Sequence, residues 1–132
     1  MRDQYVLTVG LPDPVLAELL RRMKRIGGHV ISAIDLSDAR WIVLHRAFRM
    51  IVMDMEYLDY QDVPSFTEAL STQSEIILMV LNEKILLKFP PIKTVVHLRS
   101  RSPAKITRLA GTLLKTSPQL NKEIGVEHEL SI

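Results

Sequence analysis

Five short aliphatic runs, separated by helix-period or turn-rich stretches, constrain this chain more than any other feature. They are "YVLTV" (5–9), "HVISAI" (29–34), "FRMIVMD" (48–54), "EIILMVL" (75–81) and "TVVHLRS" (94–100). An apolar run without strict alternation reads as a strand buried on both faces of a sheet. Strands alternating with helices imply a parallel sheet, because right-handed crossovers put a helix between successive strands. The expected class is α/β, a doubly wound five-stranded parallel sheet with helices on both faces.

The intervening segments carry helix signals of differing strength. "PVLAELLRRMKRIGG" sets Val15, Leu16, Leu19, Leu20, Met23 and Ile26 on one side and Arg21, Arg22 and Arg25 on the other. Pro14 suits its first turn, Asp13 can cap it, and Gly27-Gly28 ends it. "DLSDARWIVLHRA" is the second helix, with Asp35 or Ser37 as cap and Ala39, Ile42 and Val43 inward. After irregular "MEYLDYQDV", Pro64 starts a short helix, "PSFTEALST". "NEKILLKF" reads as another short helix, stopped by Pro90-Pro91. "SPAKITRLAGTLLKT" closes the pattern, capped by Ser102, with Pro103 at its first position and Ile106, Leu109, Ala110, Leu113 and Leu114 inward. Residues 117–132 fall outside it, as a linker, a tail or a docking segment.

At 132 residues the chain is one domain's worth. It has no cysteine, which excludes a disulfide framework and thiolate chemistry and fits a reducing compartment. Its longest apolar stretch, "EIILMVLNEKILLKF", is interrupted at Asn82, Glu83 and Lys84, well short of the ~20 residues of a membrane span. A cytoplasmic protein is expected. Net charge is only +2, and the basic clusters "RRMKR" and "RSRSPAK" lack interleaved aromatics, so nucleic acid is a weak candidate partner.

The order and lengths of these units resemble the receiver (CheY-like) domain of two-component response regulators. "PDPVLAELLRRMKRIGGHV" is similar to the first helix and second strand of that family, and "LHRAFRMIVMDMEYLD" to the strand that ends in its acceptor aspartate. "VVHLRSRSPAKITRLAGTLL" is similar to its fifth strand and last helix. The resemblance implies a flavodoxin-like strand order 2-1-3-4-5, with a receiver-like domain over residues 1–116 and a short fourth helix. It also implies a phosphoacceptor at Asp54. The acid pair that binds Mg²⁺ in the family falls on Leu11 and Pro12, with Asp13 the nearest acid. The family's hydroxyl residue falls near Val80, its lysine on Arg99 and the following proline on Ser100.

Mg²⁺ requires oxygen ligands converging on one site, and neither Leu11 nor Pro12 has a side-chain oxygen. Asp13 reaches such a site only if the loop register slips by one. Arg99 is permanently charged and either pairs with Asp54 or points to solvent while Asp54 ends its strand. The four histidines, His29, His45, His97 and His128, lie on different elements without ligand spacing. No phosphate-binding glycine loop or nucleophile elbow occurs. Met50, Met53 and Met55 read as core packing.

The expected function is that of a pseudo-receiver, a protein-interaction module in signal transduction that works without Mg²⁺-dependent phosphorylation and is not an enzyme. The alternative is a working phosphoacceptor in a two-component phosphorelay, using Asp54. The resemblance implies a histidine kinase, a regulator or a neighbouring domain as partner. It also implies a dimer face made by the fourth helix, fifth strand and fifth helix, with Arg101, Lys105 and Arg108 making it basic.

Overall fold

The computed structural model describes residues 4–73, 75–89, 92 and 94–115. The elements are β1 (Tyr5–Val9), α1 (Asp13–Arg25), β2 (His29–Ala33), α2 (Leu36–His45), β3 (Met50–Asp54), α3 (Val63–Ala69), β4 (Ile77–Leu81), β5 (Thr94–Leu98) and α4 (Pro103–Lys115). Single 3₁₀ turns at Tyr60–Asp62 and Leu70–Thr72 flank α3. All five strands are parallel, in the order β2-β1-β3-β4-β5 expected of a doubly wound sheet. The expected tail, 117–132, lies outside the described residues, as do His128 and Pro90-Pro91. No helix of the described residues is long and apolar enough to cross a membrane.

Side-chain alternation divides the core into two layers. Leu7, Val9, Ile51, Met53, Leu78 and Val80 face α2 and α3, where Phe66 and Leu70 pack without exposed surface. Val6, Met50, Val52, Ile77, Met79 and Leu81 face α1 and α4. β3 and β4 are buried along their whole length, which is why their sequences are continuously apolar. Met50, Met53 and Met55 are all core residues.

α1 buries Val15, Leu19 and Met23, one residue per turn, each contributing roughly 1.5–3 kcal/mol. It ends as expected: Gly27 takes φ +74°, a conformation costly for any residue with a Cβ, and the Gly28 N–H reaches back to the Met23 carbonyl at 2.9 Å. At its other end Asp13 does not cap. The helix starts one residue earlier than expected, so Asp13 lies inside its first turn and Pro12 occupies the cap position without a side-chain bond. Asp35, not Ser37, caps α2, accepting the Asp38 N–H at 2.8 Å. Ser102 caps α4 through the Lys105 N–H at 3.2 Å.

The short helix expected over "NEKILLKF" does not form. The described part of the β4–β5 connection is a series of bends. Donors there are taken by side chains: the Lys84 N–H donates to the distant Tyr60 hydroxyl, and the Leu87 N–H to the side chain of Glu83, Oε2, at 2.8 Å. Phe89 and Ile92, 5% and 7% exposed, cover the sheet in place of a helix.

Candidate functional site

The carboxyl ends of parallel strands are where a doubly wound sheet collects polar groups. β3 ends there in Asp54, which is 3% exposed and alternates onto the α1–α4 side after Met50 and Val52. Its Oδ1 accepts the Glu56 N–H at 2.9 Å, turning the chain out of the strand. The Met55 N–H still pairs with the Leu81 carbonyl at 2.8 Å, so the carboxylate is held at the seam between β3 and β4.

The residue that organises this seam is Asn82, directly after β4. It is the one non-glycine residue at positive φ (54°) among those described, a conformation that Asn tolerates better than most residues. Its Nδ2 donates to the Ser100 carbonyl at 2.9 Å and its Oδ1 accepts the Ser100 N–H at 2.9 Å, so the amide grips the exit of β5 from both sides. The same Nδ2 lies 3.4 and 3.5 Å from the two Asp54 oxygens, long and weak contacts that still orient a donor at the carboxylate.

Burial pushes the Asp54 carboxyl above the ordinary aspartate range. The Glu56 amide and the Asn82 side chain oppose that rise, the Glu56 charge adds to it, and the Arg101 charge opposes it. The folded chain therefore holds this proton more tightly than the unfolded chain does. Asp54 opposes folding above its folded pKa, and the opposition fades as pH falls toward the unfolded aspartate value, ~3.9. Asp54→Asn is expected to raise the melting midpoint at neutral pH by roughly 3–5 °C, on the order of 1 kcal/mol. The gain disappears near pH ~3.5 in thermal scans across pH. A lower midpoint at pH 7 would mean that the bonds of the ionised carboxylate outweigh its burial.

The other candidate residues are distributed unevenly. The cation whose charge lowers the Asp54 pKa is Arg101, whose guanidinium bonds Glu56 Oε2 at 2.7 Å across the mouth of the site. That bond, first, and the Lys84 charge after it hold Glu56 below the usual carboxylate range. Arg99 is exposed and lines a neighbouring groove with Asn82, Lys84 and Ser100. Asp54 itself lines a 170 Å³ hollow with Pro12, Pro14, Val15, Glu56, Tyr57 and Arg101. Asp13 is exposed and outside that lining, and Leu11 packs instead against the α1–α4 core. Val80 is fully buried on the opposite face, one residue short of the strand end, where Leu81 pairs with Asp54. Lys105 and Arg108 share a shallow groove on α4 with Leu98 and Leu109, apart from the Arg101 ion pair.

These residues do not make a Mg²⁺ site of the kind the resemblance implies. The hollow offers the Asp54 carboxylate and a Glu56 carboxylate engaged by Arg101, while Pro12 contributes no oxygen from its side chain. Among the described residues no three His, Asp or Glu side chains form a group able to hold a metal ion. Reading the sequence missed Asn82, Glu56 and the pairing of His97 Nδ1 with Glu83. The available signal for Asn82 was an amide residue directly after a buried strand, where the chain must turn sharply.

Solved structures share this fold, two response regulators among them. One is the chemotaxis response regulator CheY4 of Vibrio cholerae, with 16% identity and a TM-score of 0.61 over 86% of this chain and 99% of that one. The other is a response regulator protein from Burkholderia pseudomallei, solved with a phosphorylated aspartic acid, a calcium ion and citrate. It has 17% identity and a TM-score of 0.61 over 97% of this chain and 74% of that one. No protein-family model and no curated protein matches the sequence. At these identities the likeness establishes a receiver-type fold.

Proposed function

We propose that the chain is a pseudo-receiver, a signal-transduction module that keeps the receiver scaffold and works through protein contacts without Mg²⁺-dependent phosphorylation of Asp54. The observation that carries this reading is the furnishing of the hollow around Asp54. Where phosphoryl transfer needs cations and a metal to neutralise charge on the transferring oxygens, the hollow presents Pro12, Pro14, Val15 and a second carboxylate, Glu56. The nearby cation, Arg101, is bonded to Glu56.

Incubation with acetyl phosphate and Mg²⁺, followed by intact mass measurement, tests the reading. The expected spectrum is that of unmodified protein. A phosphoryl adduct lost in Asp54→Asn would establish a working phosphoacceptor instead.

A further inference from the structure

We propose that the basic groove beside Asp54 binds the dianionic phosphate of a phosphomonoester without covalent attachment. The groove, 490 Å³, is lined by Glu56, Asn82, Lys84, Arg99, Ser100 and Arg101. That volume lies within the few hundred Å³ usual for ligand sites. Its lining is the unusual part: no apolar residue contributes, and three cations face a single acid that Arg101 already engages. Such a wall favours a small, highly charged anion over an apolar ligand. Arg99 supplies a planar fork suited to two phosphate oxygens, and Lys84 a mobile point charge.

The backbone that carries these cations is fixed. Asn82 grips Ser100 on both sides, the Lys84 N–H is held by Tyr60, and Glu83 is held by His97 and the Leu87 N–H. The side chains of Lys84 and Arg99 are exposed and free to close on a ligand over this frame. A second hollow, 200 Å³, shares Asn82, Lys84 and Arg99 and adds Ile85, Leu86, His97, Leu98 and Glu83, the last engaged by His97. Ile85 and Leu86 are 62% and 72% exposed, apolar surface beside the charged groove that suits the organic part of an ester. His97 commits Nδ1 to Glu83, which leaves Nε2 as the ring nitrogen for a ligand. The Glu56–Arg101 pair lines both the basic groove and the Asp54 hollow, and so separates a region that attracts an anion from one that repels it.

The proposal complements the pseudo-receiver reading, since it gives the anion to the groove and not to Asp54, and one titration separates the two. Amide NMR spectra of the full chain are followed against inorganic phosphate, phenyl phosphate and a phosphoserine peptide at constant ionic strength, with acetate as control. Saturable shifts at residues 82–86 and 99–101 are expected. Arg99→Ala and Lys84→Ala each weaken binding about five- to tenfold, and both positions are exposed, so the fold survives. Glu56→Gln tightens binding by releasing Arg101. Arg40→Ala, on the exposed side of α2, leaves it unchanged. Tighter binding of phenyl phosphate identifies a free ester as the source, and tighter binding of the peptide a phosphorylated side chain. Shifts that do not saturate, or that persist in Arg99→Ala and Lys84→Ala, overturn the proposal alone. Shifts that need Mg²⁺ and vanish in Asp54→Asn overturn both readings.

Discussion

Replacing Asn82 with aspartate is expected to destabilise the fold by about 3 kcal/mol at neutral pH. The wild-type amide makes two bonds of 2.9 Å to Ser100, one as donor and one as acceptor, each worth ~1 kcal/mol. Aspartate keeps the acceptor and loses the donor. It also sets a second carboxylate where Nδ2 stood, 3.4 Å from Asp54 Oδ1 and 2.9 Å from the Ser100 carbonyl. Acidification restores a donor by protonation, so the defect shrinks between pH ~7 and pH ~4. Asn82→Ala loses both bonds and pays the cost of a positive φ as well, for about 2–3 kcal/mol. Asn82→Gly loses the bonds but takes the φ freely, so it falls between Ala and wild type. Urea denaturation of the three variants at both pH values measures the ranking. Equal and negligible losses in Ala and Gly would show that the grip on Ser100 contributes nothing.

Phe89→Ala is the second large effect, about 3–4 kcal/mol. In most doubly wound sheets a crossover helix covers the strands. Here Phe89 and Ile92 do so from an irregular connection, and Phe89 is 5% exposed. Removing the ring opens a cavity in the core layer that faces α2 and α3, and backbone held by few local bonds closes it poorly. Leu86→Ala, at a residue 72% exposed in the same segment, is expected to change stability by less than ~0.5 kcal/mol. Equal effects of the two would mean that the connection does not serve as core.

The strands were legible because burial on both faces leaves a continuous apolar run, as in "MIVMD" and "ILMVL". α1 and α4 were legible from apolar period and end signals, with Gly27 and Ser102 acting as read. "NEKILLKF" was not, because a local pattern cannot show that Tyr60, His97 and the sheet compete for its polar and apolar groups. At the site, the place of Asp54 followed from the end of a buried run. Val80 lies one residue short of the strand end, and in a strand one residue turns a side chain to the other face. Arg101, read from the sequence as part of a partner face, reaches Glu56 through a pairing across 45 positions that no spacing rule exposes. Asn82 and Ser100 are likewise eighteen residues apart.

Asn82 also has a consequence for how the molecule opens. Ser100, gripped by its amide, accepts the Ser102 N–H on Oγ at 3.1 Å, and Ser102 in turn caps α4. A run of side-chain bonds thus links the buried end of β3 to the first turn of α4. Local unfolding at either end breaks bonds shared with the other, so the two regions open as one cooperative unit. Asn82→Ala is the change that divides that unit in two.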